Sequence, residues 1–268
     1  MISILIPTYN NEKSINILIN SLEEQLALVK IKYEIMLIDD GSVIPIKKIV
    51  ENKPSIIIHQ HIKNYGQLPA IYTGLHKMNG DACIIMSADL QESVSVIPEI
   101  LMKWEEGHDF VIGLRTKREF NIFSSVFYFV INLFSKSKLP FNGYDFGLLD
   151  KSLIDKVKNF NPHISFLQIL LLEHCTNLSY VKYERQKSFN KKSSWSLTHK
   201  IFYALLAFRQ LDKFFFYKLM IGALLLTTIL FYKDLFILSA ISGLSFSGSL
   251  YIQLKIRSLK KRKNPLLN

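Results

Sequence analysis

The chain has 268 residues, 49% of them hydrophobic, 12% aromatic and 21% charged, and a formal net charge of +11. That length fits one large α/β domain or two small ones, and that composition excludes a disordered or collagen-like chain. Cys83 and Cys175 lie in apolar contexts without CxxC spacing, which supports neither a disulfide framework nor a structural zinc site; both read as buried hydrophobes in a reducing compartment.

In chain order, the apolar run from Ile2 to Ile6, ended by Pro7, predicts a strand. Residues 11–29 then carry Ile15, Leu18, Ile19, Leu22 and Leu26 at helical spacing. The alternation continues with strands over Tyr33–Ile38 and Ile56–His59, a helix over Gln67–Met78, a strand over Ala82–Met86, a helix over Val94–Glu105 and a strand over Phe110–Gly113. Such a pattern implies a mostly parallel sheet covered by helices on both faces, with the ligand crevice at the carboxyl ends of the strands.

Further along, two apolar segments near 121–136 and 197–212 read either as helices lying in a membrane interface or as core helices of the same domain. The uncharged run of 20 residues from Leu235 to Leu254 matches the thickness of a bilayer core as a helix, and 214–232 is a second such run if Lys218 snorkels. Only Lys233 and Asp234 separate them, so the expectation is a tight hairpin of two spans, the other reading being a buried helical hairpin.

The positive charge follows these runs. Residues 1–181 carry 17 Lys and Arg against 19 Asp and Glu, whereas residues 182–268 carry 16 against 3. The basicity therefore points to a membrane partner and not to nucleic acid. Lys255, Arg257 and Lys260–Lys263 after the second run, with Arg209, Lys213 and Lys218 before or within the first, place both flanks in the cytoplasm by the positive-inside rule. The expected organisation is a cytoplasmic domain over 1–200, the hairpin over 213–254 and a basic cytoplasmic tail over 255–268, with no signal peptide at the start.

Polar clusters stand at three predicted strand ends: Pro7-Thr-Tyr-Asn10, Asp39-Asp-Gly-Ser42 and Ser87-Ala-Asp-Leu-Gln91. No GxGxxG or GxxxxGK[ST] follows the first strand, which disfavours dinucleotide and P-loop sites. Carboxylates beside a diphosphate need a hard cation between them, and Asp89 with Gln91 offers oxygen ligands suited to Mg2+ or Mn2+. Each cluster alone also reads as a turn or helix cap; three at successive strand ends converge on one crevice.

The sequence resembles the family 2 inverting glycosyltransferases of GT-A fold, and within them the polyprenyl-phosphate sugar transferases, in Ile6-Pro-Thr-Tyr-Asn10, Leu37-Ile-Asp-Asp-Gly-Ser42, Asn64-Tyr-Gly-Gln-Leu-Pro-Ala70, Ser87-Ala-Asp-Leu-Gln91, Gly113-Leu-Arg-Thr-Lys-Arg118 and Asp145-Phe-Gly-Leu-Leu149. These motifs run over about residues 2–200, and the apolar hairpin is similar to the bactoprenol branch. The resemblance implies a Rossmann-like GT-A domain in which Pro7, Tyr9, Asn10, Asp39, Asp40, Gln67, Ser87 and Asp89 contact the nucleotide of a nucleotide-diphosphate sugar. It implies that Asp89 and Gln91 hold Mg2+ or Mn2+, and that Asp145, as catalytic base, and Asp89 are the catalytic carboxylates; the other reading of Asp145 is a turn residue before a strand. The family usually has Asp where this chain has Ser87, and Gly where it has Ser188 in a basic loop.

An acceptor phosphate is already ionised and needs mainly cations, whereas a hydroxyl acceptor needs a general base. Arg115, Arg118, Arg185 and Lys192 are the candidates for a lipid phosphate; a solvated basic loop against anionic headgroups is the plainer reading of the lysine. The expected activity is transfer of a hexose to polyprenyl phosphate at the cytoplasmic leaflet by a multi-pass membrane enzyme of the cell-envelope polysaccharide pathways. Transfer to a lipid-linked oligosaccharide and a non-catalytic membrane scaffold are the alternatives, and self-association is left open.

Overall fold

In the computed structural model the described residues are 1–116, 125, 127–129, 131–132, 139–140, 144, 146–163, 165–186, 204–205, 207, 215–232 and 246–255. The chain divides into two compact units, one of Met1–Phe160 with Leu167–Ser194 and one of Asn161–Phe166 with Trp195–Asn268.

The first unit is a seven-stranded sheet with helices. It runs β1 (Ile2–Thr8), α1 (Ile15–Val29), β2 (Tyr33–Asp39), β3 (Ile56–Gln60), α2 (Gln67–Lys77), β4 (Ala82–Ile85), α3 (Ile97–Glu105), β5 (Phe110–Arg115), β6 (Gly147–Asp150), α4 (Lys151–Val157), α5 (Leu167–His174) and β7 (Leu178–Tyr183). The strand order is β3-β2-β1-β4-β6-β5-β7. Strands β1 to β4 are parallel and β5 is parallel to β7, but β6 runs antiparallel to both β4 and β5. The sheet is thus mixed, and the reversed β6 brings the start of that strand to the edge where β4 and β5 end.

The strands are buried on both faces, which is why they read as continuous apolar runs. On one face Ile2, Ile4, Ile6, Ile35, Leu37, Ile84, Val111, Leu148 and Val181 pack with Ile15, Leu18, Ile19, Leu22 and Leu26 of α1 and Ile97, Ile100 and Leu101 of α3. On the other, Leu5 meets α2 at Gly74, where an added Cβ would stand 2.1 Å from the leucine Cδ1. Helix α1 starts at Ile15 and not at Asn11, and the helix expected over Val94–Glu105 opens with a 3-10 turn at Val94–Val96 before Pro98 enters its first α turn.

Register fixes where the loops emerge. Thr8 pairs with Asp39, Asp39 with Gln60, and Arg115 with Tyr183, so the carboxyl ends of these strands are level along one edge. Cys83 is fully buried in β4, and burial pushes its thiol far up; Cys175 is only half-buried, after α5, which corrects the expectation of two enclosed thiols.

In the second unit, α6 (Phe215–Tyr232) is 18 residues long and 246–255 are helical. Residues 233–245 of the expected hairpin, most of the segments near 121–136 and 197–212, and the basic tail beyond residue 255 lie outside the described residues. Among the described residues no helix is long and apolar enough to cross a membrane.

Candidate active site

The loops at the level edge are tied to one another by hydrogen bonds. After β1, Tyr9 is exposed and Asn10 takes a left-handed conformation (φ 54°), which Asn tolerates better than most residues. The Asn10 amide donates to Ser42 Oγ (3.0 Å), and its side-chain oxygen accepts from the Val43 amide (3.0 Å). Pro7 is half-buried inside β1, opposite Ile38.

The two acidic residues after β2 turn inward. Asp39, fully buried, accepts from the amides of Ser42 and Ile46 at 3.0 Å each. Asp40 accepts from the amides of Tyr65 (3.0 Å) and Gly66 (2.7 Å) and lies 2.7 Å from His61 Nδ1, while His61 Nε2 is 2.7 Å from Thr73 Oγ1. Asp39 therefore shapes its own loop, and Asp40 fastens the turn that opens α2 at the exposed Gln67. Between Asp40 and Ser42, Gly41 has φ 75°, and a Cβ there would lie 2.5 Å from the Lys63 carbonyl carbon, so glycine is required.

The loop after β4 is the most crowded. Ser14, just before α1, donates its hydroxyl to the Ala88 carbonyl (2.6 Å), tying this loop to the one after β1. The Ser87 hydroxyl donates to Asp89 Oδ1 (2.7 Å) and also contacts Glu92 Oε2, which the Ser87 amide reaches at 3.3 Å. The Gln91 amide meets the same Asp89 oxygen at 3.3 Å, across a left-handed Leu90 (φ 62°). Glu92 is only 3% exposed, and among the described residues its Oε1 has no hydrogen-bond partner. Burial pushes the Glu92 carboxyl above the ordinary carboxylate range; the bond to Ser87 opposes this and the charge of Asp89 reinforces it.

Cationic side chains come from β5 and β7. Arg185 donates to the Gln91 side-chain oxygen, and the Gln186 amide donates to the Gln91 carbonyl (3.0 Å), which docks the end of β7 on the loop after β4. Arg115 closes β5 and is 9% exposed, beside Tyr183, whose phenol is pushed up by burial against the opposing pull of Arg115.

Of the residues singled out from the sequence, the structure thus brings Pro7, Tyr9, Asn10, Asp39, Asp40, Gln67, Ser87, Asp89, Gln91, Arg115 and Arg185 to one edge of the sheet. Asp145, Arg118 and Lys192 lie outside the described residues. Among the described residues, no three His, Cys, Asp or Glu side chains form a metal-holding group. Glu92, His61, Thr73 and Tyr183 were not legible as site residues. Glu92 directly follows Gln91 and resembles an ordinary acid before a helix, and only the fold shows that it is buried.

Residues 3–157 match the family described as Glycosyl transferase family 2. The chain belongs to that family and is a glycosyltransferase. Among curated relatives, a bactoprenol glucosyl transferase of Shigella phage SfV is 28% identical, matched over 73% of this chain and 68% of its own length. An uncharacterized glycosyltransferase of Synechocystis is 30% identical over 73% of this chain and 64% of its own, so the match spans about two thirds of these relatives. Among solved structures, a mannosyltransferase from Pyrobaculum calidifontis in complex with GDP-Man and Mn2+ aligns with a TM-score of 0.56 at 14% identity, covering 96% of this chain and 75% of that one. The S. aureus TarS fragment in complex with UDP-GlcNAc aligns at 0.53 with 17% identity, covering 79% and 67%. These likenesses show the GT-A fold.

Proposed function

We propose that the enzyme moves a hexose from a nucleotide-diphosphate sugar to a polyprenyl phosphate at the cytoplasmic face of a membrane. The observation that carries this reading is the meeting of the donor-type loops after β1, β2 and β4 with Arg115 and Arg185 at one sheet edge. The name of the phage relative, a bactoprenol glucosyl transferase, supports a polyprenyl acceptor.

In this reading Pro7, Tyr9, Asn10 and Gln67 border the nucleoside pocket, and Asp39 and Asp40 act by holding the loops that shape it. The oxygens of Asp89 and Gln91 are of the kind a hard cation takes, the Gln91 side-chain oxygen accepting from Arg185 in this structure, and the buried Glu92, whose Oε1 has no partner among the described residues, stands behind them in the same loop. Mg2+ or Mn2+ bound there would offset the charge of the departing diphosphate. Arg115 and Arg185, joined by Arg118 and Lys192, hold the acceptor phosphate, which arrives ionised and needs positioning more than deprotonation. A hydroxyl acceptor would instead require Asp145 as base.

Membrane attachment falls to the C-terminal part as a hairpin over 214–232 and 235–254. Ile221, Leu224, Leu225, Leu226 and Ile229 of α6 are exposed. A run of exposed aliphatic side chains of this kind is unfavourable in water and suited to lipid. Membranes carrying the full chain, incubated with a panel of nucleotide sugars and undecaprenyl phosphate, should yield one lipid-linked monosaccharide identified by mass. Transfer to a saccharide with none to the lipid phosphate would overturn the acceptor assignment.

A further inference from the structure

We propose that Glu92 is a positioning residue of the donor site: through the Ser87 hydroxyl it fixes the carboxylate of Asp89, so that Ser87 and Glu92 together supply what a single acid at position 87 would. The inference rests on the donor-site reading above and deepens it.

Three features of the loop after β4 converge on this role. First, one oxygen of Glu92 grips Ser87 at two points, the backbone amide at 3.3 Å and the hydroxyl, while that hydroxyl reaches Asp89 Oδ1 at 2.7 Å. The three side chains form one chain of contacts that ends on the Asp89 carboxylate. Second, the Asp89 oxygen so held also receives the Gln91 amide across Leu90 in a left-handed conformation, so the loop is bent tightly around it. A bent loop of this kind keeps its carboxylate in one orientation only if something anchors its root.

Third, the anchor is an acid in a place where an acid is costly. Glu92 is 3% exposed, and its second oxygen has no hydrogen-bond partner among the described residues. A buried carboxylate oxygen without a partner is costly, and packing alone does not account for placing an acid there. A carboxylate kept behind a ligand-facing one is the arrangement by which an outer group orients an inner one, and loss of such a partner lowers metal affinity roughly 10- to 100-fold.

The test is titration of Mn2+ into the purified full chain, followed by electron paramagnetic resonance of the free ion. Glu92→Gln and Ser87→Ala should each weaken Mn2+ binding by about tenfold or more, and the double variant should be no weaker than the worse single one, since both break the same chain of contacts. Ser87→Asp placed in the Glu92→Gln background should restore binding, a rescue that a purely structural role for Glu92 would not produce. If Glu92→Gln fails to fold by circular dichroism, Ser87→Ala and its replacement by Ser87→Asp carry the comparison. Wild-type binding in both single variants while Asp89→Ala loses Mn2+ would overturn the role of Glu92 alone. Wild-type binding in Asp89→Ala as well would overturn the donor-site reading with it.

Discussion

Among single residues, Asp89 stands where strand-end contacts meet. Its carboxylate is held by Ser87 and by the Gln91 amide at the end of β4, where the loops after β1 and β7 also dock. In the proposed reaction its loss removes the anion that would pair with a cation on the leaving diphosphate. Asp89→Ala is expected to lower turnover by at least about 10²-fold, given the several kcal/mol such charge stabilisation supplies. Retained turnover in that variant, measured by release of nucleotide diphosphate, would refute the assignment. Glu34 makes the opposite case, a buried acid at the other edge of the sheet with every contact structural. Burial alone would push its carboxyl up, but the Asn79 backbone and side chain, Ser3 and the Gly80 amide outweigh this and hold it below the ordinary value of 4.5. A depressed acid contributes stability that is fully present above its unfolded pKa and is lost as pH falls through the folded one. Melting temperature followed from neutral pH down through 4.5 should therefore drop less steeply in Glu34→Gln than in the wild type; parallel curves would show that the network adds nothing.

At the scale of elements, α2 shows how closely a helix can be pressed on the sheet. Gly74 faces Leu5 of β1, and an added Cβ would stand 2.1 Å from Cδ1 and 2.9 Å from Cγ of a leucine that is itself fully buried. Gly74→Ala should destabilise the domain by about 1–3 kcal/mol through overpacking, read by denaturant unfolding. Leu5→Ala combined with it should cost less than the two single changes together, because each relieves the other. The elements themselves were largely legible. Apolar runs and helical spacing place β1 to β5 and α1 to α3 within a few residues, because each is an unbroken apolar run or a helical period bounded by polar or turn residues. For β6 the sequence offers only a strand after a turn at Asp145, since its reversed direction depends on pairing with Cys83 and Val111, which are distant in sequence. β7 carries the polar Ser179 and Lys182 among its apolar residues, so it lacks the run that betrays the central strands. The same logic governs the site: the strand-end clusters were visible as sequence, whereas the inward turn of Asp39 and Asp40 and the burial of Glu92 are products of tertiary contacts.

At the scale of the whole molecule, charge and hydropathy divide the chain more sharply than any single motif does. Residues 182–268 hold 16 of the 33 Lys and Arg but only 3 of the 22 Asp and Glu, and they contain the apolar runs over 214–232 and 235–254. An enzyme whose acceptor is a lipid phosphate gains by keeping its cationic loops at headgroup level, where anionic lipids attract each Lys or Arg by about 1 kcal/mol. The proposed hairpin does this only if both of its ends face the cytoplasm, because the nucleotide sugar is supplied there. The basic residues Lys255, Arg257 and Lys260–Lys263 on one side, and Arg209 and Lys213 on the other, favour that orientation, leaving only the turn at Lys233-Asp234 on the far side. In intact cells, a cysteine introduced as Lys261→Cys should therefore resist a membrane-impermeant thiol reagent and react once the membrane is opened. One introduced as Lys233→Cys should react without permeabilisation. Cys83 is fully buried, and the half-buried Cys175 lies on the cytoplasmic side in the proposed orientation, so the native thiols should stay silent in the intact-cell measurement. Labelling at position 261 in sealed cells would invert the hairpin and place the sheet edge of Asp89 and Arg185 on the side away from the cytoplasmic nucleotide sugar, which the proposed reaction does not permit.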